Sequence, residues 1–329
     1  MLYFCTLFDS NYLNRGLVMY NSLQKFSKYF HLYIFAFDDL SFELLNKMKL
    51  TNVTVVSLKE FEDKELLIVK PTRTTAEYCW TCTPSVILYC IEKYSLYHCT
   101  YIDADLCFYS DPKVLLNEMK DKSVLITEHR YTPVYDRSKL SGKYCVQFIT
   151  FKNNDEGLTI LRWWKNACLK WCYSRLEDGK FGDQMYLDDW TSRFKGVHVL
   201  QHPGGGLAPW NIQQYKFTKA GESFTGIQKK GLTKFDVVFY HFHYVRFLQS
   251  EKVDIGWFSL SQSVMKLFYN PYIRLLLEMD TKLKKIDARY TVKHGKISVE
   301  SSHGIKDKIK TLLKIILKYN VHNVQKLTR

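Results

Sequence analysis

The sequence predicts an α/β fold: a mostly parallel central sheet flanked by helices, with a C-terminal helical tail. Three observations lead there. Strand, helix, strand, helix, strand alternate over residues 2–57, which is the opening of a sheet whose parallel neighbours are joined through helices. A later apolar run, Thr100-Tyr101-Ile102, ends in the carboxylates Asp103 and Asp105 with only Ala104 between them. Composition is that of a packed protein: 46% hydrophobic and 24% charged, with 7 Pro and 15 Gly, which leaves little material for disordered linkers.

The elements follow in order. Residues 2–8, Leu-Tyr-Phe-Cys-Thr-Leu-Phe, read as the first strand, and Asp9-Ser10-Asn11 as the turn that ends it. A helix from about Arg15 to Lys28 places Leu17, Tyr20 and Leu23 on one side. His31–Phe37 is a second strand, Ser41 caps a helix to Lys49, and Val53–Ser57 is a third strand. Lys70-Pro71-Thr72-Arg73 is a basic approach segment, and Pro84 opens a helix to Tyr94. After the aspartate pair come a helix over Lys113–Met119 and strands over Val124–Thr127 and Tyr144–Phe151. A strong helix over Leu158–Tyr173 and a helix from Gly182 to about Trp190 follow. Val197–Leu200 is a short strand, residues 202–211 are a glycine-rich loop, and Phe235–Phe242 is a last strand ending in His241-Phe242-His243.

A net charge of +14 calls for a negatively charged partner, whether nucleic acid, an anionic membrane or a phosphorylated substrate. No apolar stretch approaches the ~20 residues of a spanning helix, and the start of the chain carries no basic leader or cleavage site. Most cysteines, among them Cys5, Cys90, Cys99, Cys107 and Cys145, lie in apolar segments, which fits reduced core thiols in the cytoplasm. Cys79-x-x-Cys82 and the pair Cys168 and Cys172 lack the further ligands of a zinc module.

The chemistry concentrates in three places. In an extended chain Asp103 and Asp105 face the same way, and two carboxylates on one face repel unless a cation lies between them. A hard divalent ion, Mn²⁺ or Mg²⁺, suits such oxygen ligands and also holds a diphosphate. Gly182-Asp183-Gln184 puts a carboxylate and an amide in the first turn of a helix, where Asp183 can accept sugar hydroxyls. His241 and His243 share a face at a strand end, and either is a candidate third ligand. The turn at Thr6–Asn11 lies, like the aspartates, beyond the carboxyl end of a strand, where ligands bind in such sheets.

Asp-x-Asp after an apolar strand, then Gly-Asp-Gln, then a strand-end His resembles the GT-A fold glycosyltransferases, and is most similar to the retaining family 8 type that uses nucleotide sugars. The resemblance covers residues 1–250. It implies a Rossmann-like catalytic domain over 1–260, leaving a helical extension at 261–302 and a basic tail at 303–329. It implies that Thr6, Leu7, Asp9 and Tyr12 hold the base and ribose of a UDP-sugar. Asp103, Ala104 and Asp105 would meet the diphosphate, with the metal shared between the aspartates and a His from a late His-aromatic-x-Gly segment. Lys70 and Arg73 would help offset the diphosphate charge, and Asp183 and Gln184 would position the sugar. The late segment here reads His241-Phe242-His243-Tyr244, with Tyr in place of Gly and no Lys-Pro-Trp after it. Tyr144-Cys145-Val146-Gln147 replaces the family's Asn-x-Gly strand.

The implied function is transfer of a sugar, with retention of configuration, to a glycan or lipid-linked acceptor in surface polysaccharide synthesis. In the tail, Ile305, Ile309, Leu312, Leu313 and Ile316 fall on one side of a helix and Lys306, Lys310, Lys314 and Lys318 on the other. That pattern predicts a helix lying in an anionic membrane surface, and with it a cytoplasmic enzyme peripheral to the inner face of the plasma membrane. The competing classes are a nucleotidyltransferase, which carries a glycine-rich basic loop where Phe8–Tyr12 stands here, and a nucleic-acid-binding protein. No nucleic-acid module is visible, so no nucleic-acid partner is expected.

Overall fold

The computed structural model describes residues 1–292, 294, 295, 309, 312–314, 316, 317 and 319–328. A seven-stranded sheet in the order β3-β2-β1-β4-β7-β6-β8 runs through the centre. Its strands are β1 (Leu2–Phe8), β2 (Phe30–Ala36), β3 (Val53–Ser57), β4 (His98–Ile102), β6 (Val124–Glu128), β7 (Tyr144–Lys152) and β8 (Val197–Val199), with β5 (Leu106–Phe108) beyond the end of β4. β1 runs parallel to β2 and β4, β2 to β3, and β6 to β8, while β7 is antiparallel to both its neighbours.

The central strands are buried on both faces, which is why they read as continuous apolar runs rather than as alternations. In β1, Phe4 and Phe8 enter one core and Cys5 and Leu7 the other. Along the chain the helices are α1 (Leu13–Phe26), α2 (Asp39–Met48), α3 (Leu58–Phe61), α4 (Lys64–Val69), α5 (Thr75–Lys93), α6 (Lys113–Leu116), α7 (Ser138–Ser141), α8 (Asp155–Lys170), α9 (Trp190–Arg193), α10 (Gln262–Val264) and α11 (Asn270–Ile286). α1 and α11 supply the first core through Leu13, Leu17, Ile273 and Leu276. α5 and α8 supply the second through Val86, Ile87, Ile160 and Trp164. Asn14 of α1 donates to the buried Asp280 of α11 at 2.9 Å, and the Tyr290 hydroxyl donates to the same carboxylate at 2.7 Å, which ties the C-terminal helix to the first one.

Several elements differ from the sequence expectation. The helix expected from Pro84 starts at Thr75, because Thr74 and Glu77 form a capping box, with the Thr74 N–H donating to Glu77 Oε2 at 2.8 Å. Pro84 lies inside that helix. Gly182-Asp183-Gln184 does not open an α-helix; it is a turn followed by a 3₁₀ turn, Met185–Leu187, and then α9. The single strand expected over Phe235–Phe242 is two. β9 (Tyr215–Ala220), β10 (Ser223–Gln228) and β11 (Lys234–Asp236) form one small sheet, and β12 (Phe239–His241) leaves it to pair with β5. The glycine loop makes this split possible: a Cβ on Gly204 would stand 1.9 Å from the Asp236 carbonyl oxygen.

The tail departs from the expectation at Lys314, which is buried rather than displayed on a lysine face. β13 (Arg246–Leu248), β14 (Lys252–Asp254) and β15 (Val321–Asn323) make a third small sheet. The side chain of Lys314 is 2% exposed and ion-pairs with the equally buried Asp254, and its Nζ donates to the Gly256 carbonyl at 2.8 Å. Ile309, Leu312, Leu313 and Ile316 are about half exposed or more. The buried Asp254 carboxylate demands a cation, and that demand outranks helical periodicity. Ile305, Lys306, Lys310 and Lys318 lie outside the described residues. No helix among the described residues is long and apolar enough to cross a membrane.

Candidate active site

β4 ends at Ile102, and the chain turns through Ala104 and Asp105 before β5 begins. The aspartates therefore do not share a face by strand alternation, as expected; they converge because the turn folds them together. Two backbone bonds fix it: Asp103 N–H donates to the Gln147 carbonyl at 3.1 Å, and Phe242 N–H donates to the Asp105 carbonyl at 3.0 Å. β5 and β12 pair antiparallel with His241 opposite Leu106, which sets the imidazole over the turn. His241 Nε2 lies 3.0 Å from Asp105 Oδ1 and 3.7 Å from Asp103 Oδ2. The three side chains offer ligand atoms within 4.8 Å of one another. Two carboxylates and one imidazole on a tight turn fit a hard divalent cation.

His243 lies in the exposed turn beyond β12, its ring 5.7 Å from that of His241 and outside the cluster. Tyr244, at the position where the resembling family has glycine, adopts φ +65°, the left-handed conformation that glycine takes at no cost.

The electrostatics are those of crowded carboxylates. Burial pushes Asp103 up to about 6, with Asp105 adding to the shift and His241 opposing it. Burial also pushes on Asp105, but the charge and hydrogen bond of His241 outweigh it and hold the carboxyl at about 2. Asp183, 5% exposed, is pushed up to about 8 by burial and then by the charge of Asp103, which places it beside the cluster. Its backbone carbonyl accepts from Trp164 Nε1 at 2.9 Å, so the turn is anchored to the core. The neighbouring Gln184 side-chain amide donates to the Ser141 carbonyl.

The end of β1 reaches the same crevice. Thr6 and Leu7 are buried, and the Thr6 hydroxyl has no partner among the described residues. Asp9 organises the turn, accepting from the Asn11 N–H at 3.0 Å and its side-chain amide at 2.7 Å. The Tyr12 phenol is pushed up by burial and then by the charge of Asp105, and the Arg15 guanidinium stacks over its ring at 4.7 Å. Lys70 and Arg73 are engaged elsewhere: Lys70 pairs with Glu62 at 2.6 Å, and Arg73 stacks on Tyr173 at 3.9 Å.

Sequence reasoning missed Tyr101, Arg15 and Gln147. Tyr101 donates to Asp103 Oδ1 at 3.1 Å, and Arg15 donates to the Val245 carbonyl at 2.6 Å beside the His241 segment. Gln147 accepts from His241 at 2.6 Å, and its signal is visible as a long polar side chain between Val146 and Phe148 in a strand. A cavity of about 780 Å³ opens beside Met185, the residue after Gln184, and is lined also by Tyr131, Lys139, Lys143 and Tyr215 among others. All nine cysteines are free, and Cys5, Cys90 and Cys99 bring their sulfurs together wholly inside the core between β1, α5 and β4.

No family model matches the chain. It is 31% identical over 283 residues to the uncharacterized protein YfnD of Bacillus subtilis (strain 168), covering 82% of this chain and 87% of that one. It is 32% identical over 223 residues to YfnF of the same organism, covering 65% of this chain and 74% of that one. Among solved structures it is similar to the galactosyltransferase LgtC in complex with donor and acceptor sugar analogs. The TM-score there is 0.52 at 10% identity, over 84% of this chain and 96% of that one. The fold is that of the GT-A glycosyltransferases.

Proposed function

This chain belongs to the family of the Bacillus subtilis proteins YfnD and YfnF, and we propose that it is a metal-dependent glycosyltransferase that takes a sugar from a nucleotide-diphosphate donor. The observation that carries this reading is the Asp103–Asp105–His241 cluster at the carboxyl end of β4, in a sheet of this fold. The buried Asp183 beside it adds a second functional group.

The donor would lie along the carboxyl ends of β1 and β4. Thr6 and Leu7 would meet the base, and the Asp9 turn and Tyr12 the ribose. Asp103, Asp105 and His241 would hold Mn²⁺ or Mg²⁺, whose role when bound is to offset the negative charge that builds on the β-phosphate as the bond to the sugar breaks. Ala104, at the tip of the turn, leaves room for the diphosphate. Arg15, near Asp105 and Tyr12, is better placed than Lys70 or Arg73 to add positive charge there. Asp183 and Gln184 would orient the sugar, and the acceptor hydroxyl would arrive from the cavity beside Met185. The cavity's mixed polar and aromatic lining suits a glycan, since hydroxyls take hydrogen bonds and sugar faces stack on tyrosine. Retention of configuration, a UDP donor and a part in surface polysaccharide synthesis are what the resemblance implies. Contact with a membrane that carries a lipid-linked acceptor would run through the aliphatic side of the tail.

The experiment is a thermal-shift panel of nucleotide sugars with and without Mn²⁺, on the parent chain and on Asp105→Ala. Metal-dependent stabilisation by a nucleotide sugar, lost in the variant, is expected. Equal UDP binding by both proteins in Mn²⁺ would remove the cluster from the mechanism.

A further inference from the structure

We infer that Gln147 is a positioning residue that fixes which nitrogen of His241 faces the cation site. This rests on the metal reading above. Gln147 is fully buried in the middle of β7, and its Oε1 lies 2.6 Å from His241 Nδ1. A carbonyl oxygen can only accept, so the Nδ1 position carries a proton. The remaining nitrogen, Nε2, is the one that lies 3.0 Å from Asp105 and 3.7 Å from Asp103. The ring is therefore turned so that Nε2, on giving up the proton it shares with Asp105, would face an ion held with the two carboxylates. A ligand histidine whose other N–H is held by a carbonyl is more basic and better oriented than a free one.

Two further observations point the same way. The Gln147 backbone carbonyl accepts from the Asp103 N–H at 3.1 Å, so one residue holds two of the three ligands, from its main chain and from its side chain. The other end of the amide, Nε2, is buried without a partner among the described residues. A buried amide left half-satisfied in a strand is destabilising, so packing alone gives no reason for glutamine there. Gly206, at φ +99°, accommodates that end: a Cβ on it would stand 3.2 Å from Gln147 Nε2 and 2.8 Å from Thr127 Cγ2. The glycine loop and the glutamine fit each other, with the amide oxygen directed at His241. Trp210 closes the opposite side, its ring at 88° to the imidazole and 5.4 Å away.

The test uses the full chain and Mn²⁺ alone as the probe. Manganese affinity is read by electron paramagnetic resonance of the free ion, and the His241 tautomer by nitrogen-15 NMR of the metal-free protein. Gln147→Met keeps the length of the side chain and removes the acceptor; it should weaken Mn²⁺ about 10- to 100-fold and move the Nδ1 signal away from its hydrogen-bonded position. Gln147→Glu keeps an acceptor oxygen and should restore affinity to near the parent value, which a purely structural role for the amide does not predict. Parent-like affinity and an unmoved tautomer in Gln147→Met overturn the inference while leaving the metal site in place. A parent chain that takes up no Mn²⁺ overturns the metal reading itself, and this inference with it. Should Gln147→Met fail to fold, Gln147→Glu decides alone: a tenfold loss of Mn²⁺ there overturns the inference.

Discussion

Replacing Asp183 by asparagine separates chemistry from stability. In the folded chain burial and the charge of Asp103 move this carboxyl from an ordinary 3.8 to about 8. When the chain unfolds, the group returns to its ordinary range. Below about pH 4 the carboxyl is neutral in both states and the folded state has no penalty. Between about pH 4 and 8 the unfolded carboxyl is ionised while the folded one keeps its proton, so unfolding releases a proton and stability falls as pH rises. Above about 8 both are ionised and the full penalty is present. About four pH units at about 1.4 kcal/mol each set a ceiling of about 6 kcal/mol. Relaxation of the chain and entry of water around the ionised group reduce that ceiling, so about 2–4 kcal/mol is the expected range. The amide of Asp183→Asn has no proton to lose. Urea unfolding of parent and Asp183→Asn from pH 5 to pH 9, without metal, should show the variant gaining on the parent as pH rises and then levelling off. Sugar transfer by the variant should meanwhile be lost while UDP and Mn²⁺ still bind. Parallel stability curves would refute a carboxyl held neutral by its surroundings. Joint loss of UDP binding and transfer would mean that Asp183 only holds the turn.

Other outcomes follow from the same geometry. His241→Ala should weaken Mn²⁺ at least tenfold by titration, whereas His243→Ala, outside the cluster, should leave it within about twofold; the reverse order would hand the ligand role to His243. Lys314→Ala leaves the Asp254 carboxylate buried and unpaired, so thermal unfolding should show a loss of about 3–5 kcal/mol. A loss under about 1 kcal/mol would show that the tail does not dock there. Gly204→Ala should misfold the glycine loop, because its Cβ would collide with the Asp236 backbone, and the soluble yield should drop. Normal yield and Mn²⁺ binding would count against that close approach.

Much of the fold is legible because the central strands are buried on both faces and announce themselves as apolar runs. The Asp103–Asp105 pair is legible for the wrong local reason. Strand alternation predicts the pairing, whereas a turn brings the two together. Asp183 is legible as a residue and not as a helix start, since its turn is anchored by Trp164 and its carboxyl is raised by burial and then by Asp103, both residues distant in sequence. The burial of Lys314 is not legible, because its partner is a carboxylate 60 residues away. Gln147 leaves a trace as a departure from a motif and as a polar residue between apolar ones; what it touches, His241, is 94 residues further on.

That last separation sets an order of events during synthesis. At about 5–20 residues per second, a ribosome takes roughly ten seconds to pass from Gln147 to His241. Through that interval β5 waits with an open edge, and the two aspartates stand together with no imidazole beside them. The seam between β5 and β12 closes only when nearly three quarters of the chain has been made, and Asp280 reaches back to Asn14 later still. A chain released early would possess the two aspartates and lack the imidazole that meets them. Metal uptake through this cluster would thus report that synthesis has passed His241, and a fragment that stops before it would lack the imidazole.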